Sequence, residues 1–185
     1  MNQGLLGFPK GYGLTPNQPA FDALTVVRFS DVTEVIIDNC FTPPYAHYRM
    51  MVDFTAWSST GTVIYQFRSS GNTYTSGDYD TQVFSAAGSS PTASASTSGT
   101  SSRVASMWST PGIGSFSLDL MNPQRDVRTT TFSQAVGVNG TTNAQWESDC
   151  LQMRVTTPMQ GIQFTSANGL AVFTGTIRLY GFRLP

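Results

Sequence analysis

The chain has 185 residues, of which 39% are hydrophobic and only 11% charged, and its formal net charge is −1. This length suits one domain with a sizeable core, and the scattered basic residues, without a stripe or cluster, exclude a nucleic-acid partner. No apolar run approaches the ~20 residues that a bilayer-spanning helix needs, so we expect no membrane insertion.

Residues 1–20 contain four glycines and three prolines, and their apolar side chains follow neither a helical nor an alternating period. Such a segment cannot build a core of its own, yet it is more apolar than a disordered linker needs to be. We predict an extended N-terminal arm that docks on a neighbouring subunit or on its own domain, and a loose tail is the alternative. The candidate anchoring residues are Leu5, Leu6, Phe8, Tyr12 and Leu14.

Residues 21–185 show short alternating segments separated by turn residues, which is the pattern of antiparallel strands. In 48–56 the even positions, from Tyr48 to Ala56, are apolar and are expected to face the core, while Arg49 and Asp53 point outward. The remaining predicted strands are 24–29, 33–38, 63–67, 80–84, 103–108, 115–120, 128–136, 145–156, 160–165 and 171–183. With no amphipathic helix among them, these segments predict an all-β, antiparallel β-sandwich of jelly-roll-like form.

Residues 85–102 interrupt this pattern with eleven serines or threonines in eighteen positions and no large apolar side chain. Nothing in such a segment offsets the entropy cost of ordering it. We therefore predict a flexible loop at the edge or tip of the sandwich, with contact to a partner as its second possible role.

Three tryptophans are candidates for a binding surface. Aromatic faces offer contact area at little entropy cost, so Trp57, Trp108 and Trp146 are candidate surface residues for stacking on sugar rings. Burial in the core or at a subunit interface is the alternative for each of them.

The sequence shows no recognisable catalytic constellation. The lone histidine, His47, has no nucleophile elbow to accompany it, and a catalytic triad needs three converging groups. Asp78 and Asp80 form too small a set for a calcium loop, so a solvated loop is the simpler interpretation. Glu34 and Glu147 are the only glutamates, and no facing carboxylate pair for glycoside hydrolysis is evident. We expect a protein that is not an enzyme.

Two cysteines, Cys40 and Cys150, lie far apart and form no paired motif. So few thiols make neither a disulfide framework nor a metal site, so we expect plain buried or half-buried thiols. No metal and no cofactor is therefore predicted.

Three phrases of the sequence, together with a hydrophobic-Asn-Pro turn at 120–123, form a recognisable set. The first phrase is residues 38–49, in which Phe-Thr is followed by Tyr and then by Tyr-Arg. The second is Ile162-Gln-Phe-Thr-Ser-Ala-Asn-Gly169, and the third is Gly175-Thr-Ile-Arg-Leu-Tyr-Gly181. This set resembles the small β-sandwich domains of bacteriophage virion appendage proteins, which include tail fibres, minor tail proteins and capsid decoration proteins. The resemblance spans about residues 32 to 184.

The resemblance implies a homotrimeric structural protein on the surface of a tailed-phage particle, on the tail or the capsid, made in the cytoplasm of the host bacterium. It implies that residues 1–20 attach to other virion proteins while the sandwich projects outward. Adhesion to a host cell-surface glycan is the expected activity. A capsid decoration or head-fibre protein that stabilises the shell is the alternative, and a carbohydrate-active enzyme is a remote one.

Overall fold

The computed structural model describes residues 21–59, 61–75, 77–87, 90–107, 114–139 and 143–183. Within these ranges the chain forms β-strands and no helix, so the all-β prediction is confirmed. The strands are β1 (Phe21–Val32), β2 (Glu34–Ile37), β3 (Tyr45–Trp57), β4 (Gly61–Ser69), β5 (Asn72–Thr73), β6 (Tyr79–Ala87), β7 (Ser90–Gly99), β8 (Ser102–Met107), β9 (Gly114–Met121), β10 (Thr130–Asn139), β11 (Asn143–Met153), β12 (Gly161–Ser166) and β13 (Phe173–Arg183). A membrane-spanning helix, long and apolar, does not occur in the part of the chain that is described.

The strands form two antiparallel sheets. The larger sheet has eight strands in the order β1-β13-β3-β9-β10-β11-β6-β7. The smaller sheet has the order β2-β12-β4-β5, and β8 also pairs with β4. The sheets pack face to face, because Phe116 of β9 lies 5.8 Å from Phe164 of β12, measured between ring centroids. The predicted antiparallel, sandwich-like architecture is therefore confirmed.

The core between the sheets is aromatic at its centre. Phe54 of β3 contacts Phe173 of β13 edge to face, at a centroid separation of 5.6 Å, and Phe41 packs on Tyr48 at 5.0 Å. Such edge-to-face pairs add to the stabilisation from burial alone. The alternation predicted for residues 48–54 holds, since Tyr48, Met50, Val52 and Phe54 are all buried.

The alternation in β3 breaks at its end. Thr174 of β13 pairs with Ala56 and Gly175 pairs with Phe54, which leaves Thr55 as one extra residue on β3. A β-bulge of this kind shifts the inward and outward positions by one residue. Ala56, predicted to face the core, is consequently exposed, and Trp57 is buried in its place.

Strand β13 lies between β1 and β3, and this position explains why the Gly-Thr-Ile-Arg-Leu-Tyr-Gly phrase begins and ends with glycine. A methyl group at Gly181 would lie 2.6 Å from a ring carbon of Tyr45 and 2.9 Å from a methyl carbon of Leu24. At Gly175 it would collide with the main-chain oxygen of Asp53. Both positions therefore require glycine because neighbouring groups approach the backbone closely.

The prediction of a flexible loop at 85–102 is wrong. Strand β7 covers Ser90–Gly99 and pairs with β6 from Ala87↔Ser90 to Tyr79↔Gly99, while β8 begins at Ser102. None of the side chains of β7 is buried. The composition correctly indicated that the segment has no large apolar side chain to bury, but the backbone ladder between β7 and β6 forms a strand without such burial.

The predicted anchoring residues Leu5, Leu6, Phe8, Tyr12 and Leu14 lie outside the described residues, as does the rest of the arm at 1–20. The described chain enters the larger sheet at Phe21, which pairs with Phe182.

Candidate binding surface

The larger sheet has an outer face that is turned away from the smaller sheet. In β3 the residues that alternate with the buried ones, Arg49, Met51 and Asp53, point to this face. Residues that pair directly on neighbouring strands lie on the same side of the sheet, so the partners of Arg49, Met51 and Asp53 also point to the outer face.

Exposed apolar side chains concentrate on this outer face. Among the described residues, eleven large hydrophobic side chains are exposed, and only Ile36, Val127 and Leu170 lie elsewhere. The other eight are Phe21, Val26, Met51, Phe84, Met121, Phe132, Val136 and Trp146. Exposed apolar side chains that gather on one face are typical of binding sites and subunit interfaces.

Two of these side chains, Phe84 and Phe132, line a groove over β10, β11, β6 and β7, which we call the aromatic groove. Phe84 pairs with Ser148 and Ala93, and Cys150 pairs with Phe132 and Gln82. The groove has a volume of about 490 Å³ and is lined by Gln82, Val83, Phe84, Ala93, Ser94, Ala95, Phe132, Ser148 and Cys150. Trp146, paired with Val136, lies at its end and meets Phe84 edge to face at 5.6 Å.

The lining of the aromatic groove is uncharged. It combines the rings of Phe84 and Phe132 with the amide of Gln82 and the hydroxyl of Ser148. A second depression of about 480 Å³ shares Gln82 and Cys150 and continues toward β10. Aromatic faces together with neutral donors and acceptors suit a neutral, hydroxyl-rich ligand, whereas an anion would find no cationic side chain in the aromatic groove.

The far side of the outer face carries a second apolar surface, the Phe21 patch, formed by Phe21, Val26, Met51, Met121, Tyr180 and Phe182. Phe21 contacts the rings of Tyr180 at 5.5 Å and of Phe182 at 5.8 Å. A cavity of about 220 Å³ opens here, lined by Phe21, Arg49, Met51, Tyr180 and Phe182.

The three predicted surface tryptophans have different outcomes. Trp146 is exposed on the outer face beside the aromatic groove. The prediction for Trp57 is wrong, because its indole stacks on Phe173 in the core at 5.2 Å, where the bulge in β3 directs it. Trp108 lies outside the described residues.

Sequence reasoning missed Phe84 and Phe132 as surface aromatics. In β10 the inward positions hold Thr131, Ser133 and Ala135, while Phe132 and Val136 point outward. The usual alternation, with apolar residues inward, is therefore inverted in this strand. A run in which large apolar residues alternate with serine and threonine favours the apolar set as the inward one, so the pattern alone gives no sign that Phe132 is exposed.

The inverted strands enclose a buried polar cluster behind the aromatic groove. On the inner face of β11, Glu147 pairs with Arg103 of β8 and accepts a hydrogen bond from Gln145. Asp149, only 4% exposed, accepts a hydrogen bond of 2.9 Å from the hydroxyl of Ser102. The second carboxylate oxygen of Asp149 has no hydrogen-bond partner among the residues that the structure describes. Burial raises the pKa of Asp149 to about 7, against the opposing effects of Ser102 and Arg103.

The other titratable candidates form no reactive site. Within the described ranges, no group of three or more His, Cys, Asp or Glu side chains is placed to hold a metal ion. Arg154 donates to both carboxylate oxygens of Asp80 at 2.9 Å, which lowers the pKa of Asp80 and occupies it. His47 lies on β3, paired with Phe182 and Met121.

The two cysteines are free thiols in different surroundings. Cys40 is half-buried, and burial raises its pKa to about 12. Cys150 is exposed on the wall of the aromatic groove, which differs from the expected buried or half-buried position. Its thiol therefore reports on whether the groove is occupied.

Comparison with protein-family models, with curated proteins and with solved structures finds no match to this chain.

Proposed function

We propose that this chain is a non-enzymatic structural protein of a tailed-bacteriophage virion, exposed on the particle as a tail-associated or fibre-like appendage that adheres to a host-surface glycan. The observation that carries the adhesive part is the aromatic groove, whose lining is neutral and presents the rings of Phe84 and Phe132 beside Trp146. Membership of a virion rests on the resemblance of the sequence phrases.

The strand order supports the jelly-roll form of this proposal. The larger sheet contains the run β1-β13-β3-β9, and the smaller sheet contains the set β2-β12-β4-β8. Two four-stranded sheets of this kind are the frame of a jelly roll. The pairs β6-β7 and β10-β11 then extend one sheet beyond β9, and the aromatic groove lies on that extension.

The disposition of the carboxylates supports a role without catalysis. Glycoside hydrolysis needs two accessible acids that face each other across the substrate. In the described part of the chain, six acids have an arginine partner within 4 Å, namely Asp22, Asp38, Asp53, Asp80, Asp119 and Glu147. Asp149 is buried on the side of β11 opposite to the aromatic groove.

A capsid decoration or head-fibre protein is the second candidate. The Phe21 patch favours it, because exposed apolar surface outside the groove is not needed to bind a sugar but is suited to contact with protein. In that case the outer face lies against shell subunits and the host is not contacted.

Gold-labelled antibody on intact particles separates the two candidates. We expect label at the tail, whereas label spread over the head would favour decoration. Absence of label from purified particles would overturn the virion proposal altogether.

Glycan adhesion is tested with purified host cell-wall polysaccharide and the full chain. Trp146→Ala combined with Phe84→Ala is expected to weaken binding at least tenfold, a loss of about 1.4 kcal/mol. Ile36→Ser is the control, since Ile36 is similarly exposed but lies on the smaller sheet. Bound polysaccharide is also expected to slow alkylation of Cys150. Equal binding by wild type and the double variant would contradict the assignment of the groove.

A further inference from the structure

We propose that the Phe21 patch is the surface through which copies of this chain associate with one another. This inference goes beyond the proposed function, because it names an interface for the self-association that the resemblance of the sequence implies. It is carried by the area, shape and charge of the patch.

The apolar area of the patch matches what a stable interface needs. Phe21, Val26, Met51 and Met121 are between 42% and 55% exposed. At ~150–200 Å² for a large side chain they expose roughly 300–400 Å² together, and the half-buried rings of Tyr180 and Phe182 add to this. A standard interface buries about 800 Å² on each partner, slightly more than half of it non-polar, which is about 450 Å².

The patch has both a recess and projecting side chains. The cavity of about 220 Å³ lies between Phe21, Met51 and Phe182. Val26 and Met121 project beside it, on β1 and β9. When copies are related by a rotation axis, a projecting side chain of one copy meets the recess of the next, so one surface supplies both halves of the contact.

The charges within the patch are already paired. Arg49 donates two hydrogen bonds to the carboxylate of Asp119, at 2.6 and 2.8 Å, across β3 and β9. Arg178 pairs with Asp53 across β13 and β3. Covering the patch with a second copy therefore does not require burial of these charges without a partner, which would be costly.

A second copy fits the patch better than a glycan does. The six side chains of the patch span four strands, β1, β13, β3 and β9, and neighbouring strands are about 4.8 Å apart. An apolar surface of this width resembles the core of a protein interface, in which aromatic residues and methionine are enriched and most charged residues are depleted. Docking of residues 1–20 onto the same patch is the competing outcome.

Sedimentation velocity of the full chain at micromolar concentrations tests the inference. We expect a mass of at least two copies of the 20.0 kDa chain. Val26→Ser combined with Met51→Ser is expected to weaken association at least tenfold. The matched control is Val136→Ser, because Val26 and Val136 are 55% and 56% exposed on the same face of the same sheet, inside and outside the patch. Circular dichroism checks that each variant is folded.

Three results would overturn the inference. They are a wild-type monomer at tens of micromolar, equal weakening by the patch variants and by Val136→Ser, and association that is lost in Phe8→Ser but kept in Val26→Ser with Met51→Ser. A monomer that still labels the particle and binds polysaccharide would refute only the interface. An oligomer that is sensitive to Val26→Ser but missing from particles would refute only the virion proposal.

Discussion

Replacing Asp149 with asparagine is expected to change the pH dependence of stability. In the folded protein the pKa of this carboxyl is about 7, whereas its ordinary value is 3.8. Between these values the folded state holds a proton that the unfolded chain releases. The contribution of Asp149 to stability is therefore fully present below about pH 4, falls as the pH rises to 7, and is constant above that.

The magnitude follows from the size of the shift. Each pH unit corresponds to 1.36 kcal/mol, so a shift of about three units changes the free energy of unfolding by at most about 4 kcal/mol. Asparagine cannot ionise and keeps an oxygen that accepts the hydrogen bond from Ser102. Its side-chain NH2 group takes the place of the carboxylate oxygen that has no partner among the described residues, and this unsatisfied donor lowers the free energy of unfolding by about 1–3 kcal/mol at every pH.

The quantity to measure is the difference in unfolding free energy between Asp149→Asn and wild type, from urea titrations followed by tryptophan fluorescence. From pH 4 to pH 8 the stability of the variant relative to wild type is expected to increase by about 2–4 kcal/mol. Lowered pKa values elsewhere, such as that of Asp80, act in the opposite direction but cancel in the difference. The exposed Asp126→Asn serves as the control. A difference that does not vary with pH would refute the reasoning.

Two further predictions concern the packing of β13 and the aromatic groove. Gly181→Ala is expected to destabilise the protein by about 1–3 kcal/mol in urea unfolding, because the added methyl group would overlap the ring of Tyr45. Gly61→Ala is the control: the atom nearest to its methyl group lies 3.8 Å away, so it should cost less than about 1 kcal/mol. Equal costs would contradict the close approach at β13. Maleimide is expected to modify Cys150 at least tenfold faster than Cys40, because burial favours the unreactive thiol form of Cys40. Mass spectrometry of tryptic peptides measures the two rates. Equal rates would contradict the positions of the two thiols.

The strands were predictable wherever large apolar residues alternate with polar ones. Each predicted strand overlaps an observed one. Strand β7 was not predictable, because its ten residues are held by main-chain hydrogen bonds to β6 and not by side-chain burial.

The binding surface was less predictable than the fold. Trp146 was named from composition, but Phe84 and Phe132 were not singled out, and the alternation in β10 gives no sign that Phe132 is exposed. The inversion depends on the polar cluster around Glu147 and Asp149, whose partners come from β8, more than forty positions earlier in the sequence. Trp57 was misplaced because a single extra residue in β3 reverses the alternation.

The interior place of β13 has a consequence for how the chain folds during synthesis. Strand β1 pairs with β13, with Phe21 opposite Phe182, and β13 in turn joins β1 to β3. Until residues 173–183 leave the ribosome, β1 lacks this partner and one edge of β3 stays open to pairing with other chains. Contacts this distant in sequence make folding slow, so the larger sheet is completed only after β13 has been synthesised.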